Sequence, residues 1–255
     1  MYVESLALEN YRNYAHLSVN LSPGINIFFG DNAQGKTNVL EAVYLCGTTK
    51  SHRGSKDKEM IRFGMEESHI KTVVEKKNME YQIDIHMKRH KTKGIAINKI
   101  PLKKASELFG ILNIVLFSPE DLNIIKNGPA ERRRFLDLEL CQLNKLYVHG
   151  LIQYNRVVTQ RNKLLKELSF HPEYEETLDI WDLQLAQYGR QVIEYRTDFV
   201  KQLNEMIVGI HNQLSGGKEH LEIFYEPNVE AEKLEDALAK NRDSDLRQRT
   251  TGIGP

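Results

Sequence analysis

Gly24-Ile25-Asn26-Ile27-Phe28-Phe29 leads straight into Gly30-Asp31-Asn32-Ala33-Gln34-Gly35-Lys36-Thr37, a complete G-x-x-x-x-G-K-[ST] loop. Asn38-Val39-Leu40-Glu41-Ala42-Val43-Tyr44-Leu45 then follows as a helix former. A short apolar run, a glycine-bounded loop and a helix in that order predict a phosphate-binding loop at a helix N-terminus. Gly30 and Gly35 let the backbone curl, so that the N–H groups of residues 31–35 (Asp31, Asn32, Ala33, Gln34, Gly35) point at an anion. Lys36 brings a full positive charge to the β- and γ-phosphates, and Thr37 offers a hydroxyl to Mg²⁺. The expected ligand is a nucleoside triphosphate with its Mg²⁺.

Around this loop, the composition is that of a globular chain. It has 255 residues, 40% hydrophobic and 27% charged, enough for one large or two modest domains. No apolar stretch approaches the about 18 residues of a membrane span, and the N-terminus carries no signal-like segment, so a cytoplasmic protein without membrane contact is expected. Cys46 and Cys141 lie on apolar segments with no metal-ligand spacing and read as reduced core residues. The net charge of zero hides an asymmetry. Residues 71–104 hold ten Lys and Arg against Glu75, Glu80 and Asp84. A basic face of this kind suits a polyanion, and a merely solvated hairpin surface has the same charge signature.

Strand-like alternation covers 2–8, 17–21, 81–87 and 95–97. The last two read as a hairpin whose tip, residues 88–94, carries Lys88, Arg89, Lys91 and Lys93. Residues 24–29, 111–117 and 221–225 read as further strands, and Ser118-Pro119-Glu120-Asp121 as a helix start. From Pro129 the period changes. Leu136, Leu140, Leu143, Tyr147, Leu151, Tyr154, Val158, Leu165 and Leu168 recur at steps of three and four, with Arg161 in the one gap. Leu178, Trp181, Leu185, Tyr188, Val192, Tyr195, Phe199, Leu203, Met206 and Ile210 repeat the pattern. This predicts two antiparallel helices with a coiled-coil-like seam, each about 50 Å long, with Gln184, Gln191 and Asp198 exposed. An ordinary helical subdomain fits the same spacing. Residues 231–246 read as a charged helix. The expected organisation is 1–128 as the N-terminal part of a nucleotide-binding head, 129–218 as an inserted helical arm, and 219–255 returning to the head.

Several strings together carry a resemblance. Leu8-Glu9-Asn10-Tyr11-Arg12-Asn13-Tyr14 before the loop and Gly35-Lys36-Thr37-Asn38-Val39-Leu40-Glu41-Ala42 across it resemble the RecF/SMC branch of the ABC-type ATPases. Thr49-Lys50-Ser51-His52-Arg53, Phe117-Ser118-Pro119-Glu120-Asp121-Leu122, and Pro129 with Arg132-Arg133-Arg134-Phe135-Leu136-Asp137 narrow it to the RecF family, most like its members from Gram-positive-type bacteria. The similarity spans essentially the whole chain. It implies an α/β ABC-type ATPase head with mixed β-sheets and an inserted antiparallel helical domain. It also implies ATP and Mg²⁺ as cofactors, binding to single-stranded and gapped duplex DNA, an ATP-dependent homodimer, partnership with RecO and RecR, and roles in replication, recombinational repair and the SOS response. RecF proteins continue into a signature motif and an acidic Walker B strand, and this sequence contains neither, so a C-terminally truncated, hydrolysis-incompetent chain is expected. Leu214-Ser215-Gly216-Gly217-Lys218 imitates a signature motif but precedes no apolar strand ending in acids. No Gln occurs in 111–128 to hold the Mg²⁺-bound water, which leaves Glu120 and Asp121 as stand-ins.

The same branch places an Arg beside the nucleotide where Arg12 stands, and a surface Arg on a turn is the competing reading. Arg53 is a candidate for phosphate or DNA. Arg132, Arg133 and Arg134 at a helix start call for an anionic partner or neighbouring acids, because positive charge opposes the helix dipole there. A small-molecule kinase shares the loop but has no use for the arm. A GTPase needs N-K-x-D, and Asn98-Lys99-Ile100-Pro101 and Asn144-Lys145-Leu146-Tyr147 lack the Asp. An SMC-like DNA tether also fits the loop and arm.

Overall fold

A computed structural model describes the backbone of residues 1–255 and every side chain except those of Glu120 and Asn123. The chain divides into two compact units, Met1–Leu143 and Asn144–Pro255.

The first unit is built on a six-stranded sheet in the order β2-β1-β3-β4-β5-β6, formed by β1 (Tyr2–Tyr11), β2 (Tyr14–Asn20), β3 (Glu67–Lys76), β4 (Met79–Lys88), β5 (Lys91–Ile97) and β6 (Ile100–Pro101). Every ladder is antiparallel. Two of the turns explain why. Lys77 and Asn78 between β3 and β4, and Asn98 and Lys99 between β5 and β6, all have positive φ. That is the two-residue geometry whose twist matches antiparallel strands. The Asn98-Lys99 pair is thus turn chemistry.

Alternation then sets the faces. Leu6 and Leu8 of β1, Ile70 and Val74 of β3, and Ile83, Ile85 and Met87 of β4 are buried on one side. They share a core with Val39, Ala42, Leu45 and Cys46 of α1 (Lys36–Thr48) and with Met60 of α2 (Asp57–Met60). Residues 119–122 form a 3₁₀ turn, followed by α3 (Asn123–Lys126) and α4 (Pro129–Leu143). Cys46 and Cys141 are buried free thiols. Burial pushes the Cys141 thiol up to about 12, and Asp137 adds to the rise; the Cys46 thiol is likewise raised by burial.

Three expected strands are absent. Residues 25–29, 113–118 and 219–226 form neither helix nor strand and join no ladder among the described residues. Ile25 and Phe29 are each 91% exposed and Val115 is 90% exposed. Their apolar character is that of a buried central strand, yet a ladder needs a neighbour with free N–H and C=O groups. No described segment supplies one. The hairpin also differs from expectation. Lys88 pairs with Lys91 around Arg89-His90, so Lys91 and Lys93 stand in β5 rather than on a seven-residue tip.

The second unit contains α5 (Lys145–Glu167), α6 (Leu178–Ser215) and α7 (Leu234–Gln248). The expected single helix from 136 to 168 breaks at Asn144. Its side chain accepts from Leu146 N at 2.8 Å and Tyr147 N at 3.2 Å and so starts α5 afresh. The break lies between α4 and α5, and the compact units part there rather than at 128. Residues 219–255 cluster with the helices: α7 packs Leu234 and Leu238 against Val157, Leu185 and Ile193.

Helices α5 and α6 run antiparallel, with Gly150 near Gln191, Tyr154 near Gly189 and Arg161 on Asp182. At 38 and 23 residues, α6 is about 57 Å long and α5 about 35 Å. The buried stripe of α6 is Leu178, Asp182, Leu185, Gly189, Val192, Arg196 and Val200. It advances at close to 3.6 residues per turn, whereas the expected seam kept to 3.5. Phe199 has therefore rotated to a half-buried position, and Met206 and Ile210 are exposed. Gln191 and Asp198 are exposed as expected, while Gln184 is half-buried. Leu185→Ala should lower stability by at least about 2 kcal/mol, and Phe199→Ala by clearly less. Urea titrations showing the reverse order would restore the stricter seam. Gly216 at φ 64° closes α6, its N–H bonded to Asn212 O. This is a left-handed helix cap, so the Leu214–Lys218 string ends a helix.

Candidate functional site

The loop of residues 30–35 runs into α1, and Gly35 is the residue that turns the corner. It holds φ 98° and caps the helix with no side-chain hydrogen bond and no acid in the first turn. The first N–H groups of α1 are left for an outside acceptor, and the helix dipole favours an anion there. Gly30 at φ 140° and Ala33 at φ 64° supply the remaining left-handed curl. Lys36 Nζ reaches across the loop and donates to Gly30 O at 2.7 Å and Asp31 O at 2.6 Å. Its charge is thus held over the loop. Thr37 is the second residue of α1 and is exposed.

Residues that the motif does not name frame the loop. The β1–β2 turn brings Asn13 and Tyr14 against it: Asn13 Nδ2 and Tyr14 OH each donate to Gln34 O at 3.2 Å. Asn38 Nδ2 donates to Asn13 Oδ1 at 2.8 Å, and Arg53 Nη1 to Asn38 Oδ1 at 3.2 Å. The only sequence signal for Asn13 and Tyr14 was their place in the 8–14 string, which says nothing of what they touch.

Arg12, expected beside the nucleotide, is bonded to Glu41 of α1. Its φ is 52°, and its guanidinium makes a two-point pair with Glu41, at 2.8 Å from Nε and 2.6 Å from Nη2. It also donates to Glu59 O and Ser55 Oγ. Glu41 is fully buried and further accepts from Ser51 Oγ and Tyr11 OH. Burial opposes its charge, but the bonds from Arg12, Ser51 and Tyr11 outweigh that and hold its carboxyl below the ordinary value. In this geometry Arg12 fastens the β1–β2 turn to α1.

The basic residues are partly committed. Lys88 Nζ is 3.0 Å from Glu67, and Arg89 donates to Met65 O with Glu66 at 3.7 Å. Lys93 is folded inward onto Thr49 O at 2.6 Å and Asp57 at 2.7 Å. Lys91 is exposed. Arg132 donates to the carbonyls of Ile124 and Asn127, at 3.1 and 3.0 Å. Those acceptors lie in and just after α3, where the dipole offers negative charge to offset the basic start of α4. Asp121 accepts from Ser118 N at 2.5 Å, and the Glu120 side chain lies outside the described residues. Among the described residues no three metal-ligating side chains converge, and no helix is long and apolar enough to cross a membrane.

A glycine-curled loop at the uncapped start of a helix, on an α/β scaffold, defines a P-loop nucleotide-binding head. The AAA domain family matches residues 5–249. The chain is 58% identical over its full length to the DNA replication and repair protein RecF of Agathobacter rectalis, covering 70% of that protein, and 46% identical to RecF of Clostridium perfringens, covering 71%. It superposes over its whole length, with a TM-score of 0.93 and 34% identity, on 71% of the recombination mediator protein RecF solved with ATP in the RecFOR pathway. The chain belongs to the RecF family.

Proposed function

We propose that this protein binds ATP with Mg²⁺ through residues 30–37 and serves DNA repair by recombination. The observation that carries the reading is the uncapped, acid-free start of α1 behind a complete loop, with Lys36 held across it. The donor set fits the group. Backbone N–H groups and one ammonium match phosphate oxygens, and the Thr37 hydroxyl matches Mg²⁺. Relatives named for replication and repair, and a solved relative with ATP, support the same reading. Lys36→Ala should weaken ATP binding by about 2–3 kcal/mol, the scale of lost charge-assisted hydrogen bonds. Calorimetry giving equal affinities would remove Lys36 from the site.

By the same reading the protein binds single-stranded and gapped duplex DNA and works with RecO and RecR in the cytoplasm, and a form as long as its relatives pairs with a second copy when ATP is bound. The β4–β5 turn is our candidate for the DNA backbone contact, and Arg53 is a second. Lys93 answers Asp57, so the clean variant is Lys88, Arg89 and Lys91 together to Gln. Phosphate contacts of this kind are indifferent to sequence and weaken with salt. On duplex DNA the log–log slope should flatten by roughly 0.9 for each phosphate that is no longer neutralised. Unchanged affinity and slope in the triple variant would shift the DNA path away from this turn.

A further inference from the structure

We infer that Asn13 and Tyr14 are positioning residues that aim the Gly35 amide at the bound phosphate, an assignment that rests on the nucleotide-binding reading above. Both side chains donate to the same backbone oxygen, Gln34 O. A trans peptide is planar, with its C=O and N–H on opposite sides. Anchoring the Gln34 carbonyl toward the β1–β2 turn therefore directs the Gly35 N–H away from that turn, into the curl of the loop.

The anchor is reinforced from behind. Arg53 donates to Asn38, Asn38 to Asn13, and Asn13 to Gln34 O, so every donor in the chain points the same way. Aligned bonds of this kind polarise one another, and here a guanidinium stands at the far end. Arg53 thus acts through Asn38 and Asn13. A Cβ on residue 35 would lie 2.6 Å from Asn13 Oδ1 and 2.7 Å from Tyr14 OH. These are the ends of the two side chains, which lie over residue 35, so the second loop glycine answers their approach as well as its φ of 98°. The turn itself is fixed by Arg12 on the buried Glu41, which gives the two side chains a rigid base.

The test is Asn13→Ala with Tyr14→Phe, which removes both donors, in the 255-residue protein. Three readouts are taken: the Gly35 amide resonance in the free protein, calorimetric affinity for ATP, ADP and AMP, and the melting temperature. The Gly35 amide should move. Affinity for ATP and ADP should fall together by about tenfold, the scale of one to two hydrogen bonds. AMP, which lacks the β-phosphate, should change far less, and the melting temperature should hold. Asn38→Asp keeps an acceptor for Arg53 but loses the donor to Asn13, and should show a smaller loss of the same kind. An unmoved Gly35 resonance overturns the assignment, as do ATP and ADP affinities in the double variant equal to those of a wild type that binds ATP. A wild type that binds no ATP overturns the nucleotide reading itself, and the assignment falls with it.

Discussion

Arg161→Leu should destabilise the helical unit by about 3–5 kcal/mol, the cost of breaking a buried ion network from one side. Arg161 is 0% exposed. Its Nε donates to Asp182 at 2.6 Å and its Nη1 to Asp245 at 2.6 Å and Thr251 Oγ1 at 3.0 Å. One guanidinium therefore joins α5, α6, α7 and the segment after α7. Removing it leaves Asp245 fully buried without its cation, and Asp182 with only Arg242. The segment 250–252 should loosen too. Thr251 is held by Asn162 Oδ1 and the Gly252 N–H by Asp245 Oδ1, and both depend on the same corner. Trp181, the only tryptophan, packs within this unit, so its fluorescence in urea reports the loss directly. A shift below about 1 kcal/mol, the range of surface pairs, would mean that the network is solvated in solution.

Glu41→Ala should cost the first unit a similar amount, about 3–5 kcal/mol. The substitution strips partners from Arg12 and from the buried Ser51 and Tyr11 together. It also frees the β1–β2 turn from α1. Glu41→Gln keeps the shape and an acceptor, and separates charge from packing. Because the native carboxyl titrates below its ordinary value of 4.5, its contribution is complete above that value. It is lost as pH falls through the lowered native value. The wild type should lose stability across that acid window, and Glu41→Gln should lose less. Hydrogen exchange at β1 and β3 amides measures this within the unit. Parallel pH profiles for the two proteins would take Glu41 out of the acid response.

The Asn13 turn, the Glu41 pair and the Arg161 network show where reading by residue type reaches its limit. The loop at 30–37, the helix behind it, β1 and β2, the helical character from 129 on and the family were all legible, because each is written in local spacing: glycines at fixed offsets, alternation of two, steps of three and four. Arg161 stood out as a gap in a seam, yet its two aspartates lie 21 and 84 residues away, and no local pattern joins them. The strands expected at 24–29, 111–117 and 221–225 failed for a related reason. An apolar run states that a segment wants burial, but a ladder exists only if another segment presents a free edge.

By itself, the sequence determined the chemistry that this protein can offer: an anion-binding loop, a lysine and a threonine at its end, and a family. Tertiary structure alone decided which groups that chemistry can use. It turned Arg12 onto Glu41, folded Lys93 onto Asp57, and set Asn13 and Tyr14 on the carbonyl behind Gly35. The physical reason is that a charged or polar side chain goes to whichever partner the fold brings within about 3 Å, and that distance depends on the packing of distant segments rather than on neighbours in the chain.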